Sequence, residues 1–320
     1  MNILWGFLQA LIFPGFLFLS VYALFAEWLD RKLFAQMQNR IGPPLIQPLA
    51  DTIKLFSKET IIPKAVQAGL FTLLPYFSFA AVVTSFLFVP VYATPAISSF
   101  PGDLVIVAYL LTIPTLVLSL AGWSSDSTYS ILGGIRALTQ LFAYEVPFFL
   151  ALFTPALLLG TWNISEIAAR LPGYLLANPF YFIPVLISFL VGIVALQGKL
   201  ERKPFDIPDA ETEIVAGPFT EYSGRLLAIF RLSIDMEMVC GASLLAALFL
   251  GGPQPFISWM PGIISYLLKT LAIIFILAYI KAAVGRIRID QMIRFGWQIL
   301  APLSLVGMLI VVLFQKGGLI

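Results

Sequence analysis

Glu221, Arg225, Arg231 and Asp235 stand at offsets of 0, 4, 10 and 14 along a stretch that is otherwise mostly apolar. On a helix turning about 100° per residue they project within an arc of roughly 120°, which makes one polar stripe. Glu221–Arg225 and Arg231–Asp235 are each four residues apart, so opposite charges on one helix face can share the cost of leaving water. At about 1.5 Å per residue the stripe is roughly 20 Å long. Glu237 projects from the opposite side of the same helix. Intramembrane carboxylates mark proton relays, because burial and a neighbouring guanidinium push a carboxyl's pKa in opposite directions and hold it near its switching point. The same stripe also reads as an ion-pair ladder that only braces neighbouring helices. The charges alone leave both readings open.

Two further groups could join such a path. Glu145 follows Arg136, Gln140 and Tyr144 at the entry to an apolar run, where it either continues the relay or snorkels to the interface. The segment KLERKPFDIPDAETEIVAGPFTE sets the acids Glu201, Asp206, Asp209, Glu211, Glu213 and Glu221 against Lys199, Arg202 and Lys203. It lacks the spacing and glycine of a calcium-binding EF-hand loop. Pro204 and Pro208 instead predict a folded loop packed into the mouth of a helix bundle, feeding carboxylates toward Glu221. Lys269 and Lys281 lie in another apolar run and read as snorkelling lysines. The chain has no histidine and one cysteine, Cys240. That removes imidazole ligation, a Ser-His nucleophile, an internal disulfide and any cysteine-built iron–sulfur site. No phosphate loop, dinucleotide fingerprint or nucleophile elbow occurs.

The elements that must position these groups are membrane helices. Of 320 residues, 60% are hydrophobic and 11% charged, and the mean hydropathy is +0.95. A soluble domain carries about 25% charged residues, so lipid must be the solvent for much of this chain. A net charge of +2 without a basic run gives no footprint for nucleic acid. Windows of about 20 apolar residues place spans near 3–26, 70–92, 104–123, 141–160, 180–198, 226–250, 263–284 and 296–314, within a single domain at 1–320. Prolines 75, 114, 147, 155 and 184 inside them favour a packed bundle, in which neighbouring helices satisfy the freed carbonyls.

The first, third, fifth and seventh loops read differently from the rest. Arg31, Lys32, Arg40, Lys54, Lys58 and Lys64 follow span 1, Lys199, Arg202 and Lys203 follow span 5, and Arg286, Arg288 and Arg294 follow span 7. Loops 93–103, 161–179 and 251–262 contribute only Arg170. This asymmetry predicts cytoplasmic odd-numbered loops, both termini outside and a location in the cell membrane. The apolar start lacks a basic leader and is too long for a signal peptide. Leu45, Leu49, Ile53 and Phe56 recur at helical spacing around Pro48, which predicts an amphipathic helix at 48–60, too short to span, lying in the interface. The expected fold is an all-α integral membrane protein of about eight transmembrane helices with this interfacial helix in the first cytoplasmic loop.

Four segments resemble the subunit 1 family of respiratory complex I and its relatives in membrane-bound NiFe hydrogenases. They are DRKLFAQMQNRIGPPLIQPLADTIKLFSKE (30–59), RALTQLFAYEV (136–146), ERKPFDIPDAETEIVAGPFTEYSG (201–224) and RIRIDQMIRFGW (286–297). The resemblance implies a subunit without a cofactor of its own, which anchors a peripheral redox arm and couples its electron transfer to proton or sodium movement. Iron–sulfur clusters, and in the hydrogenase branch a NiFe centre, would sit on partner subunits, with antiporter-like subunits beside it in the membrane. Glu145, Asp206, Asp209, Glu211, Glu213 and Glu221 match the family's acidic path. Arg225, Arg231, Asp235 and Glu237 extend it from the charge pattern, and Arg31, Lys32, Arg40, Arg286, Arg288 and Arg294 are the expected docking positions for the arm.

One departure separates the branches. Between Gly42-Pro43 and Leu49-Ala50 the chain has only Pro44-Leu45-Ile46-Gln47-Pro48, whereas quinone-reducing relatives carry a longer Gly/Pro-rich stretch. The compact form resembles the membrane-bound hydrogenases and archaeal sulfur-reducing complexes, and the alternative is a quinone-site subunit of complex I. A free-standing secondary transporter would also contain broken helices and intramembrane ion pairs.

Overall fold

In lipid every backbone polar group must find its partner within the span or in protein, so an apolar run folds as a helix. The computed structural model describes residues 3–64, 66–255 and 259–316, apart from the side chains of residues 3–5, 211 and 316. The described residues are helical without strands. In chain order the helices are α1 (Ile3–Leu11), α2 (Phe16–Met37), α3 (Gln47–Ser57), α4 (Ala68–Phe86), α5 (Asp103–Ser124), α6 (Thr128–Leu159), α7 (Ile164–Ala177), α8 (Phe182–Lys199), α9 (Glu211–Ile214), α10 (Gly224–Leu250), α11 (Gly262–Ala283), α12 (Ile289–Phe295) and α13 (Ala301–Lys316). Eight segments are long and apolar enough to cross a membrane, and each overlaps a span expected from the sequence.

The boundaries differ where charged residues stay within a helix rather than end it. The first crossing does not stop at Ala26 but runs to Met37, carrying Glu27 and Asp30 into the bundle. The fourth begins at Thr128 rather than 141. It therefore holds Arg136, Gln140 and Glu145 on one continuous helix. A short π-helical turn at Gly296–Leu300 joins α12 to α13. Pro75, Pro114, Pro147 and Pro155 lie inside helices as expected. Pro184 instead occupies the first turn of α8, where a missing N–H loses no helical hydrogen bond.

α10 is the axis of the bundle and is buried along most of its length. Small residues let α2, α4, α7 and α11 pack around it, and short polar contacts tie them together. Ser78 meets Ser233 at 2.8 Å, Ser85 meets Cys240 at 3.1 Å, and Ser243 meets Tyr266 at 2.5 Å. α3 follows its expected form. Pro48 lies in its first turn, and Leu45, Leu49, Ile53 and Phe56 form an exposed apolar side that suits the lipid interface.

The three charged loops converge on one end of the bundle, where residues 51–58, 199–212 and 281–286 line a common space. The connections before α5, between α6 and α7 and after α10 meet at the other end. There Leu104 N–H donates to Trp162 O, Ala96 N–H to Ser165 Oγ, and Ile164 N–H to Asp103 Oδ1. Lys269 reaches the same end, but it does not snorkel to water as expected: it is buried and donates to the carbonyls of Gly252 and Gln254 at 2.9 and 2.6 Å.

Candidate functional site: a charged cavity at one end of the bundle

The acidic loop is packed into the bundle mouth, as its prolines predict. Phe205, Ile207 and Ala210 are buried, and Gln140 Nε2 donates to the carbonyls of Gly198 and Phe205 at 2.7 and 2.9 Å. Gln197 Nε2 donates to Lys203 O at 2.5 Å. With its backbone held this way, the loop roofs a cavity of about 950 Å³ lined by α2, α3, α10, α11 and the loop itself. Exposed Lys58, Lys203 and Arg286 stand at its mouth.

The cavity's upper wall is a tight ionic clasp. Arg202 Nη2 lies 2.7 Å from Glu27 Oε2 and its Nη1 lies 2.9 Å from Asp30 Oδ2. Lys281 Nζ is 2.6 Å from the same Asp30 oxygen. Arg31 bridges Glu27 at 2.6 Å and Asp51 at 2.9 Å. Four segments are thereby joined: α2, α3, the loop after α8, and α11. Burial works against the Arg202 charge, but Asp30 and Glu27 outweigh it and hold the guanidinium above its ordinary pKa.

Deeper in the bundle the contacts loosen. Lys199 Nζ is 3.6 Å from Glu237 Oε1, with both side chains almost fully buried. Asp235 Oδ1 is 3.8 Å from Arg202 Nη2. Glu201 lines the same space with φ at +51°, a left-handed conformation that a glutamate adopts only at some cost. Its Oε1 is buried without a hydrogen-bond partner. Burial, then the Glu237 and Asp209 carboxylates, push the Glu201 carboxyl well above the ordinary carboxylate range.

The sign of this shift makes a prediction. A carboxyl whose folded pKa is raised opposes folding increasingly as pH climbs from its unfolded value toward its folded one. Glu201→Gln removes that opposition. The melting temperature of the wild-type assembly is expected to fall relative to Glu201→Gln as pH rises above the ordinary carboxylate value of 4.5. Thermal melts of both forms at a series of pH values above it check this, and parallel curves would contradict it.

The residues expected to form the path are brought together in part. Asp206, Asp209, Arg231, Asp235 and Glu237 all line the cavity. Glu145, half-buried on α6, lies outside its wall but within the electrostatic reach of Lys199. Glu213 is half-exposed at the rim, pairing with Arg136 at 2.6 Å and Arg286 at 3.4 Å. The Arg136 hydrogen bond and then the Arg286 charge hold its carboxyl below the ordinary range. The Glu211 side chain lies outside the described residues.

The stripe itself needs correction. α10 starts at Gly224, so Glu221 sits in the turn before it and pairs with no residue of the helix among those described. Arg225 is exposed, and its N–H faces Thr60 Oγ1 at 3.4 Å. Arg231 does not pair with Asp235. It lies 3.7 Å from Asp209 and over the Phe219 ring, because it stands at the exposed rim while Asp235, one turn deeper, faces Arg202. Glu237 does face another part of the bundle, as expected from its position on the helix.

The docking set divides too. Arg31 and Arg286 turn inward to intrachain carboxylates, the latter toward Asp206 at 3.6 Å. Lys32 Nζ donates to Gly42 O at 3.5 Å. Arg40, Arg288 and Arg294 are exposed and make no ion pair among the described residues.

Sequence reasoning missed Glu27, Asp30, Lys199, Glu201, Arg202 and Lys281 as site residues. Glu27, Asp30 and Arg31 carry the i, i+3, i+4 spacing of one helix face, a signal obscured by ending the span at 26. Lys281 read as snorkelling, yet it closes on buried Asp30.

The family model described as NADH dehydrogenase matches residues 9–312. The H subunit of the NADH-quinone oxidoreductase of Bacillus thuringiensis (strain Al Hakam) is 35% identical over 323 residues, covering 98% of this chain and 94% of that protein. The corresponding protein of Bacillus anthracis (strain A0248) matches to the same extent. Among solved structures, a chain of the membrane-bound sulfane sulfur reductase, an archaeal respiratory membrane complex, superposes with a TM-score of 0.84. It is 26% identical, and the match covers 96% of this chain and 99% of that one.

Proposed function

The chain belongs to the NADH dehydrogenase family that includes these oxidoreductase subunits, and from that premise we propose that it is the membrane-anchor and coupling subunit of a multisubunit, ion-translocating oxidoreductase. The observation that carries this reading is the cavity. Three charged loops of a family member close around a buried set of carboxylates and cations at one end of an otherwise apolar bundle. A redox partner docked over that end could change the charge or hydration of the acidic loop, and the buried carboxylates below it are placed to pass the change into the membrane.

In this reading the charged end faces the cytoplasm of the cell, and exposed Arg40, Arg288 and Arg294 meet the peripheral arm. Electrons travel through iron–sulfur clusters of partner subunits, and antiporter-like subunits lie beside the chain in the bilayer. The compact GPPLIQP stretch at 42–48 supports a hydrogenase-type or sulfur-reducing arm. It folds back on α2, with Trp28 Nε1 donating to Pro43 O at 3.2 Å. A second reading, a quinone-reducing complex, draws on the 35% identity to the Bacillus subunits.

Isolation of the native complex with this chain tests the proposal. It is expected to contain iron and to move ions in vesicles when its arm is reduced. Nickel alongside iron identifies the hydrogenase branch, and inhibitor-sensitive quinone reduction identifies the second reading. Recovery of the chain alone as a competent solute transporter overturns both.

A further inference from the structure

Two layers of charge line the cavity, and they differ in balance and distance. The clasp sets Glu27, Asp30 and Asp51 against Arg31, Arg202 and Lys281, with contacts of 2.6–2.9 Å. Three acids meet three bases, and four of the five contacts are hydrogen bonds, Arg202 Nη1 to Asp30 being the exception, which is the arrangement of a brace.

Beside it, the ammonium of Lys199 lies 3.6 Å from Glu237, and its charge also acts on Glu145 and Glu201, each carboxylate standing on a different segment. Its 3.6 Å separation from Glu237 is too long for a hydrogen bond, and no backbone carbonyl takes its N–H groups among the described residues. The ammonium instead rests 5.7 Å from the Tyr144 ring centroid and 5.9 Å from that of Phe148, a soft contact that holds a cation without directing it. Glu237 Oε1 and Glu201 Oε1 are both buried without a hydrogen-bond partner. One charge shared among three acids, fixed by none of them, is poorly suited to bracing and well suited to exchange.

We propose that Lys199 is a proton-carrying residue of the coupling path, passing a proton between the cavity carboxylates and Glu145. The ammonium gives a proton to one carboxylate, leaving a neutral amine and a carboxylic acid. The amine is then reprotonated by a second carboxyl of the set that carries a proton, and the acid formed first releases its proton to cavity water, so charge and protons balance over the cycle. Tyr144 and Glu145 face it from α6, Glu201 from the loop after α8, and Glu237 from α10. Glu201 and Glu237 line the cavity whereas half-buried Glu145 does not, so Lys199 stands between the cavity and the α6 side of the bundle.

Arginine separates charge from proton exchange, since a guanidinium keeps the cation but does not release its proton. The assembled complex carrying Lys199→Arg, reconstituted in vesicles, is expected to move ions at least about threefold more slowly per complex than wild type and to lose the wild-type pH dependence of that rate. A wild-type rate and pH profile overturns the proposal and leaves Lys199 as a fixed charge. If that variant does not assemble, the Lys199→Gln/Glu237→Gln double variant replaces it, because removing both charges strands neither. Compared with Glu237→Gln alone, further slowing by the same factor supports the relay, whereas equal translocation by the two variants, or failure of the double variant to assemble, overturns it. The inference rests on the proposed function, and wild-type vesicles that move no ion defeat that reading before any variant is compared.

Discussion

Replacing Arg202 with methionine is expected to deplete the assembled complex several-fold in the membrane, with the remainder melting at a lower temperature. Arg202, in the acidic loop, contacts α2 and α10 together, through Glu27 at 2.7 Å, Asp30 at 2.9 Å and Asp235 at 3.8 Å. Its side chain is 11% exposed and that of Asp30 is 1% exposed, so water cannot replace the lost partner. Breaking a buried pair from one side costs about 3–5 kcal/mol, because the surviving charge remains out of water. That is a large share of the roughly 5–15 kcal/mol by which a domain is stable. A shift of this size changes cellular abundance several-fold.

Two further variants separate lost charge from lost shape. Arg202→Lys keeps the charge but gives up the fork that meets two carboxylates at once, and should fall between wild type and methionine. Adding Glu27→Gln to Arg202→Met removes one stranded carboxylate and should restore part of the loss. Quantitative immunoblotting of membranes and thermal melts of the purified complex report both effects. Wild-type accumulation of Arg202→Met would mean that the clasp does not hold the loop.

The clasp also marks the limit of what the sequence could disclose. Eight crossings were legible because lipid imposes its demand locally, and a run of about 20 apolar residues answers it wherever it occurs. The surface helix was legible for the same reason, since Leu49, Ile53 and Phe56 repeat at helical spacing on their own segment. Glu27 and Asp30 were not, because a charge near a span's end has two fates. It can leave the membrane, or it can stay if a partner arrives from elsewhere. Their partners lie 175 and 251 residues away, in Arg202 and Lys281, and no local pattern announces them.

The stripe on α10 failed more narrowly. Asp235 and Glu237 do lie on the helix and reach the cavity, but helical periodicity does not extend back through Glu221. Ser223 is extended and Gly224 has φ at +55°, which breaks the helix there. A Cβ on Gly224 would stand 2.5 Å from Glu59 O, so the break also seats the loop against the segment after α3. Arg231 then had a choice of carboxylates and took Asp209 at the rim, since a long basic side chain goes toward water when it can. Spacing predicts which residues can meet, whereas competition among partners decides which do.

That competition ranks the carboxylates by the effect of neutralising them. Asp235→Asn is expected to slow ion translocation per complex by about a hundredfold, the lower end of what removing a positioned proton-transfer group does. Assembly should survive. Asparagine keeps the shape and a hydrogen-bonding oxygen, while Arg202 retains Glu27 and Asp30 at much shorter distances. Glu213→Gln makes the contrast. Its side chain is 50% exposed at the rim, where water can carry a proton in its place, and an exposed pair contributes at most about 1 kcal/mol to stability. Its variant should keep translocation within about twofold of wild type. Asp235→Glu restores the acid one methylene displaced and should recover much of the rate, which a purely steric role for Asp235 would not allow. Vesicles containing each complex, energised through the redox arm and followed with proton and sodium indicators, measure the three rates on one scale. Equal rates for Asp235→Asn and wild type would leave α10 as a strut and move the path to the Lys199 side of the cavity.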